Sequence, residues 1–520
     1  MSVWISSKTN ARRHGVYAIA RTPPKMIQAI GTGVVAMVGQ FPWGPPNQLV
    51  TPLGTKELID MFAPAGMDHL STGYLSLIGK GFPSLRIVRV LGSGALPAKC
   101  VIRDKTTNQP LITLKAKYPG EAGNNLICTI GPVSATSTDK AELVISVTGA
   151  SGTTSDVFRI NQKTTLPTPA EVQSWLATAL LLGDFELSPS FDPETADMGP
   201  GSFLFEGGTD GNLTAADYVG TPGTGDRGLA LLENDRSIRQ VFVDDCGDSF
   251  RSAVNAGIRL HVELMGDRIG FINGDAGMEL GGVFEGGPGG KQLVGVLGDV
   301  ERFRSERIVY VDPWCFIYDD VTGAEQLVPP AGFAAAVAAQ LSPSTSLAWK
   351  DSEVGAMLSG IVRLHSNRGL GIADMTDSGI MALIREDEGG HRFEAGVLTI
   401  APSDPSKRSI TRTRMGDYIA ISFAKSARSM VDAPNVQANQ VVLVGMLQAF
   451  MDGLLAARES DPAHQPFVDA YEITDLSAVN TQQELAEGNF TIPLNVRIGS
   501  SMERIFLSIM HGETVTVRTE

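Results

Sequence analysis

Gly33-Val34-Val35-Ala36-Met37-Val38-Gly39 and Ser84-Leu85-Arg86-Ile87-Val88-Arg89-Val90 decide the fold. Each is a short apolar, β-branched run, the pattern of a strand buried in a sheet. The rigid turn Phe41-Pro42-Trp43-Gly44-Pro45-Pro46 follows the first. Between the runs, Thr55-Lys56-Glu57-Leu58-Ile59-Asp60-Met61-Phe62 predicts a helix with Thr55 as its N-cap. Residues 70–78 suit a second helix. Strand, helix and strand in this order predict a sheet covered by helices.

Outward toward the N-terminus, Ala11-Arg12-Arg13-His14 is basic and Thr22-Pro23-Pro24-Lys25 resists both helix and central strand. Val16, Tyr17 and Ile19 between them suit one short strand, so residues 1–25 read as an extended arm. In the other direction the texture changes after Gly94. From about residue 98 to 218 the chain is rich in Thr, Ser and Gly. Short alternating strands are expected at 111–117, 125–130 and 141–147, with one helix from Pro169 to Leu182. The α/β alternation returns with strands at 238–243, 267–273 and 306–311, and helices at 250–265 and 331–341. Two helical patterns, 416–430 and 439–458, precede strand-like segments at 467–475, 489–498 and 502–510. The tail Glu513-Thr514-Val515-Thr516-Val517-Arg518-Thr519-Glu520 alternates to its last residue. Such a strand is an edge that invites pairing with another chain.

Composition removes several function classes. Lys and Arg total 42 against 57 Asp and Glu, a net charge of −15 over 520 residues. A surface that grips nucleic acid carries a basic footprint, so direct nucleic-acid binding is not expected. Cys100, Cys128, Cys246 and Cys315 have no Cys-x-x-Cys spacing and offer no zinc site. They read as reduced, buried thiols. The N-terminus shows no basic region followed by an apolar core and a cleavage site, so no secretory signal is expected. The most apolar run, Val441 to Leu455, is interrupted by Gln448 and Asp452 and reads as too short and too polar to span a bilayer.

Catalytic patterns are missing. Gly286-Gly287-Pro288-Gly289-Gly290-Lys291-Gln292 resembles a phosphate loop only superficially, because Glu285 and Gln292 stand where Gly and Ser or Thr are required. A surface loop is expected there. His14, His69, His261, His365, His391, His464 and His511 are dispersed. Glu386-Asp387-Glu388 beside Gly389-Gly390-His391 reads as a solvated turn. No catalytic residue, cofactor or metal is expected. Within this acidic chain, Lys407, Arg408, Arg412, Arg414, Lys425 and Arg428 form a basic stretch, either a solvated helix start or a contact for an acidic partner.

Several segments in order resemble the tail sheath proteins of contractile-tailed phages and phage-like bacteriocins. They are Gly31-Thr32-Gly33-Val34-Val35-Ala36-Met37-Val38-Gly39 followed by Trp43-Gly44-Pro45; Ala116-Lys117-Tyr118-Pro119-Gly120-Glu121-Ala122-Gly123-Asn124; Gly207-Gly208-Thr209-Asp210-Gly211; and Val328-Pro329-Pro330-Ala331-Gly332. Ala331 and Ala348-Trp349-Lys350-Asp351 depart from the family pattern. The resemblance implies a multidomain α/β (α+β) protein: a helix-covered sheet core, an inserted mostly-β protruding domain, and extended N- and C-terminal arms. The expected division is an arm at 1–25, a sheath domain at 26–97 with 220–365, the protruding domain at 98–219, an inner α/β domain at 366–512, and an arm strand at 513–520.

The resemblance also implies a structural, non-enzymatic role. Subunits would form hexameric rings stacked around a tail tube and would meet baseplate and terminator proteins in a virion assembled in the bacterial cytoplasm. No membrane insertion is implied. Val16, Tyr17, Ile19, Val515 and Val517 would supply inter-subunit strands. Lys407, Arg408, Arg412, Arg414, Lys425 and Arg428 would face the tube. Contraction would drive the tube through the host envelope for genome ejection. Two other readings stay open at this point: another phage structural protein, capsid or tube, and an enzyme with a site assembled from distant residues.

Overall fold

The computed structural model describes residues 3–5, 17–19, 31, 33–64, 84–132, 142–148, 154–161, 169–189, 201–287, 290–319, 323–348, 358, 360–386, 389–460 and 468–499. The chain divides into two units, Met1–Ile30 with Arg414–Ser500 and Gly31–Thr413 with Ser501–Glu520.

The larger unit is built on an eight-stranded mixed sheet. Its spatial order is His391–Phe393, Ile380–Arg385, Ile308–Asp312, Ile269–Ile272, Gln240–Val243, Val34–Gly39, Ser84–Arg89 and Leu49–Val50. The six inner strands run parallel, and the two edge strands pair antiparallel. Alternation sorts each strand's side chains onto two faces. Val35 and Met37 lie beside Leu85 and Ile87, their partners in register, and pack with the Ala331–Gln340 helix. Ala36, Val38 and Val88 point the other way and pack with the Asp248–Met265 helix. Both faces are covered, so the strands are apolar throughout, and each fully buried aliphatic side chain contributes roughly 1.5–3 kcal/mol. The Ala-rich helix is buried from Ala331 to Ala338, and its small side chains let it lie against the sheet. A Cβ on Gly33 would sit 2.8 Å from the Ala339 carbonyl, so glycine is required at the foot of the strand.

Residues 99–204 form two antiparallel sheets. One has the order Thr154–Asn161, Glu142–Thr148, Ile127–Pro132, Gly201–Leu204; the other has Leu182–Leu187, Pro110–Ala116, Lys99–Arg103. They share one apolar core that also takes Trp43 from the proline-rich turn. The Trp43 Nε1–H donates to the Leu180 carbonyl at 3.3 Å. Asp156 is buried and accepts from the Leu180, Leu181 and Leu182 amides at 2.7–3.0 Å.

In the smaller unit, the Ile410–Ala427 helix from Met415 onward and the Gln437–Ser460 helix pack through Met415, Ile419, Met446, Leu447, Met451 and Leu454. The strands Ala470–Ile473 and Leu494–Arg497 form an antiparallel hairpin. Val3–Ile5 and Tyr17–Ile19 pair in parallel.

Several expectations change. The N-cap of the first helix is Gly54, not Thr55, and the Glu57 carboxylate accepts from the Leu53 amide at 2.7 Å. The Pro169 helix stops at Leu176, because Leu182–Leu187 is needed as a strand against Pro110–Ala116. The run at 286–292, expected as a surface loop, lies partly in paired strands: Val283–Gly287 and Gly290–Leu293 pair antiparallel. The apolar run after Val441 belongs to a helix starting at Gln437, and Gln437–Leu455 is long and apolar enough to cross a bilayer, so length does not exclude a span. Ile380–Arg385 and His391–Phe393, within the expected inner domain, are strands of the large sheet. The helix expected at 70–78, the strand at 502–510 and the tail at 513–520 lie outside the described residues.

Candidate functional site

Two of the segments that carry the family resemblance meet in space. Asn124 Nδ2 donates to the Gly208 carbonyl at 2.9 Å, and the Gly208 amide returns a bond to Asn124 Oδ1 at 2.8 Å. Asp210 accepts from the Glu121 amide at 3.2 Å and from Gln40 Nε2 at 3.3 Å. Beneath them lies Arg89, fully buried. Its guanidinium donates to the carbonyls of Phe41 at 2.7 Å, Gly44 at 2.8 Å, Pro42 at 3.1 Å and Pro119 at 2.9 Å. One side chain therefore ties the turn after Val34–Gly39 to the segment that joins the two antiparallel sheets. Burial pushes the guanidinium down to about 10, while Asp210 and Tyr118 pull the other way. Gly120 has φ 136°, and a Cβ there would lie 2.7 Å from Arg89 Nη2. Nothing in the spacing of the sequence marks Arg89, whose partners are all backbone carbonyls.

The smaller unit offers a surface of a different kind. The hairpin turns Tyr471, Ile473, Leu494 and Val496 toward the helices and Glu472, Asn495 and Arg497 outward. Tyr471 Oη donates to Asp452 Oδ1 at 2.5 Å, which fixes the hairpin to the Gln437–Ser460 helix; burial and Asp452 push the phenol up to about 12. Among the described residues no further strand pairs with either outer edge of this hairpin. An apolar groove of about 480 Å³ adjoins it, lined by Ile419, Phe423, Leu443, Leu447, Ile492 and Val496. Val431, Val436 and Val441 are exposed in the same unit. A sheet edge beside an apolar groove suits strand addition by another segment.

Of the expected arm residues, Tyr17 and Ile19 lie in the Tyr17–Ile19 strand, whereas Val16, Val515 and Val517 lie outside the described residues. The six basic residues divide between the two units. Lys407 is half exposed and pairs with Glu306, with Asp404 at 4.0 Å; Glu306 pushes its ammonium up. Arg408 is half-buried, and Arg412 donates to the Ser406 carbonyl at 2.6 Å. Arg414 is buried, which pushes its guanidinium down to about 10. Lys425 and Arg428 are exposed.

Titratable groups elsewhere serve packing. Asp312 and Arg368 form a buried bidentate pair at 2.7 and 2.9 Å, and Arg368 also reaches the Met278 carbonyl at 2.9 Å. Arg251 joins Asp245, Asp248 and Asp275 and stacks 4.8 Å over Trp314. His261 is buried 3.4 Å from Arg268 Nη1. Among the described residues no three His, Cys, Asp or Glu side chains are grouped to hold a metal.

No family model and no curated protein matches the sequence. Solved structures do match the fold. The sheath tail protein from Desulfitobacterium hafniense superposes with a TM-score of 0.61 at 14% identity, covering 88% of this chain and 93% of that one. The sheath tail protein from Listeria innocua gives 0.53 at 14% identity over 87% and 88%. The anti-feeding prophage helical sheath in its contracted state gives 0.51 at 13% identity over 96% and 98%.

Proposed function

We propose that this chain, which has the fold of contractile sheath proteins, is the sheath subunit of a contractile phage tail. The observation that carries the reading is a likeness, over 96% of the chain, to a sheath solved in its contracted helical state. The hairpin, which pairs with no further strand among the described residues, supports it, because a polymer that changes its packing needs joints that survive the change. In this reading Val16, Tyr17 and Ile19 of one neighbour and Val515 and Val517 of another add strands to the hairpin of a third. The contact is heterologous and builds stacked hexameric rings rather than a closed dimer. The residue 98–219 segment is the protruding domain, clamped to the core by Arg89, and the C-terminal helices and hairpin form the inner domain. The extended sheath is kinetically trapped. When the baseplate fires, subunits rotate as rigid bodies while the strand joints hold.

Of the six basic residues Lys407, Lys425 and Arg428 are exposed, and Lys407 and Arg412 are engaged with local partners. Lys425 and Arg428 are therefore the candidates for holding the tail tube. Arg414 contributes through packing. The test is assembly with a purified tail tube protein, viewed by electron microscopy. Wild type is expected to sheathe the tubes, and the Lys425→Glu/Arg428→Glu variant to leave most of them bare. Bare tubes with wild type would overturn the sheath reading; full sheathing by the variant would overturn the tube contact alone.

A further inference from the structure

The Ile410–Ala427 helix belongs to two cores. Ile410 is fully buried in the core of the large sheet, whereas Met415 and Ile419 are buried in the core of the smaller unit. Each end has bonds or contacts of its own. The Ile410 amide donates to the Gly396 carbonyl at 3.2 Å, the Leu398 amide to the Arg408 carbonyl at 2.7 Å, and Thr413 Oγ1 to the Glu306 carbonyl at 3.5 Å. Further along, the Tyr418 ring lies 6.1 Å from that of Phe450 in the Gln437–Ser460 helix. Among the described residues the chain crosses from one unit to the other only within this helix, between Thr413 and Arg414.

Gly416 lies just past that crossing. Glycine inside a helix is disfavoured relative to alanine, so a position that keeps it needs a reason. Packing supplies one at Gly257 of the Asp248–Met265 helix, where a Cβ would lie 2.4 Å from Val219 Cγ2. A Cβ on Gly416 would meet nothing within 4 Å among the described residues beyond its own stretch of helix. We propose that the Ile410–Ala427 helix is a hinge that bends at Gly416, so that the later turns of the helix move as one body with the core that holds Met415 and Ile419. Sharp helix bends have local causes, glycine among them, and hinges concentrate the change of backbone angles in a few positions. Gly445 and Gly453 have equally open Cβ positions, but both lie in the Gln437–Ser460 helix, where Met446, Met451 and Leu454 anchor the turns around them in one core and resist a bend. The hinge belongs to the free chain and stands or falls apart from the sheath reading.

The experiment places spin labels on the full chain at Lys56→Cys and Gln448→Cys, exposed positions in the larger and smaller units, and reads the distance distribution by pulsed electron paramagnetic resonance. The described native cysteines are buried and stay unlabelled in the folded chain. A broad distribution is expected. Gly416→Ala should narrow it to one peak, and Gly445→Ala should leave it broad. Exchange of the amide hydrogens at 414–420 should slow roughly fivefold in Gly416→Ala, the gain from one glycine replaced by alanine in a helix. A single narrow distance in the otherwise wild-type chain would overturn the proposal. So would a broad distribution that Gly416→Ala leaves unchanged, or one that Gly445→Ala narrows as much. A Gly416→Ala chain that melts below wild type would also overturn it, because packing rather than bending would then require the glycine.

Discussion

Replacing Arg89 by Met tests how the residue 99–204 sheets are seated on the core. The side chain is fully buried and makes four hydrogen bonds, all to backbone carbonyls. A bond from a charged donor contributes about 1.5 kcal/mol at the low end, so four amount to about 6 kcal/mol. Against this stands the cost of burying the charge. The fall of the guanidinium from 12.5 to about 10 corresponds to roughly 3 kcal/mol. Met fills similar volume but leaves the carbonyls dry, so the net loss is about 3 kcal/mol. Arg89→Lys, whose ammonium has three donors, should fall between the two. Urea unfolding gives the stability. Limited proteolysis at 92–97 and 206–212 reports whether the loss is local, because the Arg89 bond to Pro119 joins the turn to the sheets beside the Trp43 contacts. An Arg89→Met variant within about 0.5 kcal/mol of wild type, with unchanged cleavage, would refute the clamp.

Two further expectations concern buried charge. Arg368→Met should destabilise the chain by about 3–5 kcal/mol, since it strands the Asp312 carboxylate, whose proton affinity burial already raises; Arg368→Met with Asp312→Asn should recover much of the loss in urea denaturation, and a double variant as weak as the single would contradict this. Burial, aided by Arg268, pushes the His261 imidazole down to about 3, so it stays neutral in the fold while the unfolded chain takes up a proton near 6.5; stability is complete above that value, is lost as pH falls toward 3, and should be about 2 kcal/mol lower at pH 5 than at pH 7, an increment that His261→Leu removes. An unchanged pH dependence in that variant would show that His261 is not its source.

Elements set by local pattern were legible in the sequence. The runs at 34–39 and 84–89 are strands because both faces are covered, and the Ala331 helix is apolar all round for the same reason. The misread boundaries have tertiary causes. The Pro169 pattern is helical as far as Leu182, but only pairing with Pro110–Ala116 shows where the strand must begin. Thr55 is a good cap by type, yet Glu57 already satisfies the amide ahead of the helix. The basic stretch looked like one surface because its residues are close in sequence. In the structure Arg414 is buried, Lys407 is paired with Glu306, and the division between units falls between Thr413 and Arg414. Arg89 left no sequence signal, because its hydrogen-bond partners are all backbone carbonyls. The hairpin edges and groove are foreshadowed by the alternation at 470–473 and 494–497, which says that one face is covered but not what meets the edge.

The most direct test of assembly by strand addition is negative-stain electron microscopy of the purified protein, full length beside a chain ending at residue 512. The full chain is expected to form rings or tubes with sixfold symmetry, and the shortened chain to remain dispersed. Equal polymerisation of both would show that the Val515 and Val517 strand is not the joint, and dispersed monomers from both would contradict the sheath assignment itself.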